Sequence, residues 1–181
     1  MIENTEKQEK IKKDFYKTEI EKNILKLGEL QRLARELNIP VIIVFDGWDA
    51  AGKGTIINNL IEALDPRGFI VYSEGEKEDN EEEYRRPYLY RFWQKLPAKG
   101  RISIFDKGWN IKLLKKIVSG KESDVVIRKL FNEINFFEEL LSDDGYLIIK
   151  FFLQIDRLDQ YKRLKKLKQG LFFRVMKLKN N

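Results

Sequence analysis

Val41-Ile42-Ile43-Val44-Phe45-Asp46-Gly47-Trp48-Asp49-Ala50-Ala51-Gly52-Lys53-Gly54-Thr55 is the stretch on which the fold turns. An apolar run stops at Gly47. Gly52-Lys53 follows, and a helical pattern begins there. Strand, loop and helix in this order match the phosphate-binding pattern G-x-x-x-x-G-K. The backbone amides of such a loop point at a phosphate, and the helix dipole favours its negative charge. Gly47, Ala50, Ala51, Gly52, Gly54 and Thr55 are the candidate cradle, and Lys53 the candidate point charge on the outer phosphates. Gly54 stands where Ser or Thr normally follows the lysine, so Thr55 becomes the candidate hydroxyl for a magnesium ion. A plain glycine-rich turn between a core strand and a helix is the alternative.

Working outward, the chain has 181 residues, 43% hydrophobic and 35% charged, which is enough for one globular domain with a sizeable core. It has no cysteine and no histidine. Disulfides, thiol nucleophiles, Ser–His triads and His- or Cys-ligated zinc are thereby excluded. Catalysis falls to Asp, Glu, Lys, Arg and a hard, oxygen-bound metal ion. No apolar run reaches the ~18 residues of a membrane span, and the first residues lack the apolar core of a secretory signal. A cytoplasmic chain is expected. The net charge of +6 suits nucleic acid, a membrane face or a polyanionic substrate, and equally suits ordinary solubilising charge.

Upstream of the loop, residues 3–37 read as one long charged helix, with Ile11, Phe15, Ile20, Ile24, Leu27, Leu30, Leu33, Ala34 and Leu37 at three- and four-residue steps. Asn38-Ile39-Pro40 ends it. As an addition to the P-loop core, this helix is expected to pack on the sheet or on a second subunit. Downstream, a helix is predicted over 53–64, a turn at Asp65-Pro66-Arg67-Gly68 and a strand over 69–73. Residues 74–83 hold seven acids and one lysine. Asn80 is a candidate N-cap, with Glu83 at the third position, for a helix running through Tyr84 to Pro97, in which Leu89, Phe92 and Trp93 face the core. Arg85, Arg86, Arg91 and Lys95 concentrate positive charge there, in forks that suit phosphate oxygens.

Residues 101–106 read as a third strand ending in Asp106, either the metal-holding acid downstream of a P-loop or a helix N-cap. Residues 107–118 are basic and partly amphipathic. A helix over 124–141 is capped by Ser123, with Ile127, Leu130, Phe131, Ile134, Phe137 and Leu141 inward. A fourth strand covers 146–155. Asp156 caps a last basic helix over 157–168, and the tail from Gln169 forms no clear element. This alternation predicts an α/β fold with a parallel sheet and right-handed crossovers, ligands sitting at the carboxyl ends of the strands.

Together, Gly47-Trp48-Asp49-Ala50-Ala51-Gly52-Lys53-Gly54, Leu64-Asp65-Pro66-Arg67-Gly68, Arg86-Pro87-Tyr88-Leu89-Tyr90-Arg91-Phe92-Trp93 and Phe105-Asp106 resemble the polyphosphate kinase 2 family, its polyphosphate:AMP phosphotransferase-like branch above all. The likeness runs from about residue 28 to the C-terminus. It implies a three-layer P-loop kinase fold, here with an added N-terminal helix over residues 1–38. It also implies Mg2+-dependent phosphoryl transfer between inorganic polyphosphate and a nucleotide (AMP/ADP or GDP) in a homo-oligomer, with neither nucleic acid nor membrane as a partner. By position, Asp49 and Asp106 would flank metal and phosphate, and Lys53 would contact the transferred group. Arg67 and Arg91 would line the polyphosphate path, with Lys107 keeping a charge beside it, and Arg163 would face the phosphates.

The departures are specific. Asp106-Lys107-Gly108-Trp109-Asn110 stands where the family usually has Asp-Arg-Ser-Trp-Tyr, and lysine loses the arginine fork. Ile117 stands at a lid arginine. Glu74-Gly75-Glu76 replaces the usual Ala-Pro-Thr. Family domains continue beyond the length of this chain, so the C-terminal end is expected to be incomplete, as in a first tandem domain or a truncated piece. A degenerate, non-catalytic domain that binds polyphosphate or mediates assembly is therefore an alternative to the enzyme, and an ATP-dependent small-molecule kinase is a third.

Overall fold

The structure is a computed structural model that describes residues 12–73 and 85–179. Strand β1 (Val41–Gly47) lies inside a four-stranded sheet of order β2-β3-β1-β4, with β2 (Phe69–Ser73), β3 (Ile102–Asp106) and β4 (Leu147–Leu153). Each neighbouring pair is parallel, in the register Phe69, Ile102, Val41 and Leu147 across the sheet. A parallel strand covered on both faces needs apolar residues throughout rather than alternately. Ile42 and Val44 face one core, with Phe92, Phe105, Trp109, Ile134 and Phe137. Val41, Ile43 and Phe45 face the other, with Ile57, Leu64, Ile102 and Ile104. Each fully buried aliphatic side chain contributes about 1.5–3 kcal/mol.

The helices form the two outer layers. On the Ile43 side lie α1 (Lys13–Glu36) and α2 (Lys53–Glu62), with Leu27, Ala34 and Leu60 packed on that core. Gln31 fastens α1 to the turn before β2: it accepts from Asp65 N at 2.7 Å and donates to Asp65 O at 3.1 Å. The long helix thus packs on the sheet, although Phe15, Leu30, Leu33 and Leu37 remain exposed. On the Ile42 side lie α3 (Tyr90–Trp93), α4 (Asn110–Ser119) and α5 (Asp124–Asp143). The last helix, α6 (Arg157–Lys179), leaves β4 with Asp156 Oδ1 accepting from Leu158 N at 2.8 Å.

Three sequence expectations need correction. The helix expected through Pro97 shrinks to the single turn α3, because Pro87 lacks an N–H and disfavours helix at Arg86. Its start at Asn80 and Glu83, like the acidic run and residues 3–11 of the first helix, lies outside the described residues. In α5 the buried stripe is Leu130, Ile134, Phe137 and Leu141, while Phe131, one residue off that period, is half exposed. Finally, α6 runs on to Lys179 rather than ending near 168, since Gln169, Leu171, Arg174, Met176, Lys177, Leu178 and Lys179 all favour helix and no proline interrupts them.

Candidate active site

The site lies at the carboxyl ends of β1, β3 and β4, the rim where open parallel sheets bind ligands. At Gly47, φ is +133°, and a Cβ would come within 2.2 Å of Leu153 O. Only glycine fits there, and it lets β1 turn sharply beside β4, where Trp48 N donates to Leu153 O at 3.1 Å. Ala50 (φ +61°) and Gly52 (φ +103°) turn the chain again before α2 starts at Lys53.

Lys53 is 8% exposed, and its Nζ donates to Gly47 O and Trp48 O, each at 3.1 Å. The ammonium is therefore held inside the loop. Gly54 has open space where a Cβ would point, and Thr55 is exposed on the next residue of α2.

Asp106 closes β3 opposite Phe45. Its Oδ1 is buried without a hydrogen-bond partner. A buried carboxylate oxygen with nothing bound to it is what a hard cation satisfies, so the residue fits a divalent metal. Lys107 follows in a left-handed conformation (φ +71°), its N–H donating to Phe45 O at 3.0 Å. Its Nζ stands 3.9 Å from Oδ1 of Asp49, whose side chain is largely exposed. No group of three or more acids, histidines or cysteines that could hold a metal ion occurs among the described residues.

From the far side, α6 reaches the loop. Gln160 Nε2 donates to Asp49 O at 3.0 Å, and Arg163 Nη1 donates to Ala50 O and Ala51 O, each at 3.2 Å.

The tertiary structure thus brings together residues 47–55 with Asp106, Lys107 and Arg163. Arg91 stands at one side, its guanidinium 5.4 Å over the Tyr88 ring, while Tyr88 Oη donates to Trp109 O at 2.9 Å. Lys112 approaches the same ring at 4.4 Å. Arg67 is not brought in. It precedes β2, on the amino-end rim opposite the loop, where its fork bonds Asp65 at 3.1 and 2.8 Å. That pairing holds the Asp65 carboxyl down at about 2.

Residues outside any motif also build the site. Asp46 is buried, and its Oδ1 accepts from Gly108 N at 2.8 Å, linking the end of β1 to the turn after β3. Burial raises its pKa. The Gly108 bond, a bond from Asn110 and the charges of Lys53 and Lys150 act the other way. Lys150 in turn donates to Glu138 at 2.6 and 2.8 Å, and Glu138 accepts from Trp109 Nε1 at 2.7 Å. The signal for Asp46 in the sequence is a charge inside an otherwise apolar strand. The glycine at 108 has its reason here too, since a Cβ would lie 2.3 Å from Val44 Cγ1.

A parallel sheet with a P-loop after its central strand, an acid ending the adjacent strand and a lysine inside the loop define a P-loop kinase fold. Comparison with known proteins fixes the family. The Polyphosphate kinase 2 (PPK2) family model matches residues 10–179, so the chain belongs to the polyphosphate kinase 2 family. It is 37% identical over 153 residues to a polyphosphate:AMP phosphotransferase of Pseudomonas aeruginosa, covering 84% of this chain and 30% of the relative. It is 34% identical over 145 residues to an AMP/ADP-polyphosphate phosphotransferase of Meiothermus ruber, covering 80% and 53%. The crystal structure of Polyphosphate Kinase 2 from Arthrobacter aurescens TC1 superposes with a TM-score of 0.79 at 27% identity, over 87% of this chain and 56% of that one. The chain therefore spans about a third to about half the length of these relatives. Among the described residues, no helix is long and apolar enough to cross a membrane.

Proposed function

We propose that this chain carries a phosphoryl-transfer centre that moves a phosphoryl group between inorganic polyphosphate and a nucleotide, AMP/ADP or GDP, with Mg2+. The observation that supports it is the loop of residues 47–55 with Lys53 inside it and the bare oxygen of Asp106 beside it, in a chain of the polyphosphate kinase 2 family. Relatives are named for polyphosphate and AMP, for AMP/ADP and for GDP, which supports that range of acceptors.

Phosphoryl transfer needs positioning and charge neutralisation more than a general base. Here the amides of Ala50 and of residues 52–54 at the start of α2 cradle the phosphate oxygens, while Ala51 N closes the turn onto Trp48 O at 3.2 Å. Lys53 exchanges its two carbonyl partners for the oxygens of the group in transit. Lys107, 3.9 Å from Asp49, adds a second cation at the loop. Asp106 and Asp49 would hold Mg2+, which neutralises phosphate charge when bound.

The test is to incubate the purified protein with polyphosphate, Mg2+ and AMP, ADP or GDP, in parallel with Lys53→Ala. A phosphorylated nucleotide that depends on Lys53 is the expected result. Equal, absent turnover in both proteins sinks the reading. One observation favours a non-catalytic polyphosphate-binding domain instead: Ile117, at the lid-arginine position, is an uncharged, half-exposed residue of α4. Polyphosphate binding without turnover selects that second reading.

A further inference from the structure

Every peptide carbonyl of residues 47–51 accepts a hydrogen bond from a side chain. Lys53 takes Gly47 and Trp48, Gln160 takes Asp49, and Arg163 takes Ala50 and Ala51. In a loop that aims its N–H groups at an anion, the carbonyls of the same peptides face away from it. Left bare against protein they would each cost a lost hydrogen bond, and the loop would find another shape. The backbone here also needs holding, because Ala50 sits at φ +61°, a region that costs an L-residue about 1–2 kcal/mol.

Gln160 and Arg163 are one helical turn apart, so α6 presents both on one face. Arg163 sits flush behind the loop: its Nη1 lies 3.8 Å from where a Cβ of Gly52 would be. Its charge polarises the two peptides it bonds, which strengthens the 3.2 Å turn bond from Ala51 N to Trp48 O and makes Gly52 N a stronger donor toward an anion.

We propose that Gln160 and Arg163 are positioning residues that shape the anion cradle through its carbonyls, so that α6 acts on the bound phosphates without touching them. This rests on the polyphosphate reading of the loop but is tested apart from it.

The experiment measures amide hydrogen exchange over residues 49–54 in the free protein, and binding of inorganic tripolyphosphate by calorimetry, for wild type, Gln160→Leu, Arg163→Gln and Arg163→Lys. Loss of one neutral hydrogen bond predicts about fivefold faster loop exchange and about fivefold weaker tripolyphosphate binding for Gln160→Leu. Arg163→Gln, which loses a charged donor, is expected to weaken binding about tenfold or more, and Arg163→Lys to recover part of it. In turnover, KM for polyphosphate rises by these factors while kcat moves less.

Unchanged loop exchange in Gln160→Leu and Arg163→Gln overturns the inference. So does lost tripolyphosphate binding in Arg163→Gln with unchanged exchange, since Arg163 would then touch the anion itself. Faster exchange in the variants, with no tripolyphosphate binding even by wild type, keeps the positioning role and removes the polyphosphate reading. If Arg163→Gln does not fold, Gln160→Leu and Arg163→Lys decide.

Discussion

The carboxylate of Asp46 accepts a 2.8 Å hydrogen bond from the backbone N–H of Gly108. That contact sets the distance between two loops of the candidate site on different strands: Gly47 follows Asp46 directly, and Asp106-Lys107 directly precedes Gly108. Asp46→Ala leaves a buried N–H bare and is expected to cost about 2–3 kcal/mol, whereas Asp46→Asn keeps an acceptor and costs less. Urea denaturation of both variants, alongside their turnover, measures this. Equal stability of Asp46→Ala and wild type would show the bond to be incidental.

Asp46 also gives stability a pH dependence of definite sign. Burial raises its folded-state pKa above 3.8. The folded chain then binds the proton more tightly than the unfolded chain, so the contribution falls as pH rises from 3.8 through the raised value and stays low above it. Asp46→Asn removes that slope. Its stability relative to wild type is expected to increase as pH rises above 3.8, as read by urea denaturation at a series of pH values.

Asp65 runs in the opposite direction. The Arg67 side-chain and backbone bonds lower its pKa to about 2, so its contribution is present above 3.8 and is lost as pH falls through about 2. Arg67→Ala is expected to return the Asp65 carboxyl toward 3.8, visible as a shifted carboxyl titration by NMR. An unmoved titration would mean that the pair does not form in solution.

Gly47→Ala places a methyl against Leu153 O in a backbone conformation that alanine resists. Destabilisation above about 3 kcal/mol is expected, from the overlap and the strain together. A melting temperature close to wild type would contradict the close approach of β1 and β4.

Lys107 separates stability from activity. It holds φ at +71°, so Lys107→Gly relieves strain and is expected to stabilise by about 0.5–1 kcal/mol. The same change removes the cation beside Asp49, and polyphosphate turnover is expected to fall. Thermal unfolding and initial rates on one preparation test both halves, and a variant that is less stable refutes the strain.

The strand, loop and helix order at residues 41–55 was legible because its signals are local. An apolar run without alternation means a strand covered on both faces, and glycines mark where the chain must turn. The four strands and the helices that follow them carry the same local periodicities, and Asp106 was found from its place at the end of one. Chain order alone did not reveal what depends on sheet order. Arg67 and Asp106 both flank strands, but parallel pairing puts Arg67 at the amino-end rim and Asp106 at the carboxyl end beside the loop. Asp46 meets Gly108 across 62 positions, and Gln160 meets Asp49 across 111. Such contacts leave no periodic trace, because they arise from which elements the fold packs side by side rather than from any spacing along the chain. The sequence therefore determined the loop of residues 47–55 and the sheet that bears it, and only the tertiary structure decided which side chains bond its carbonyls.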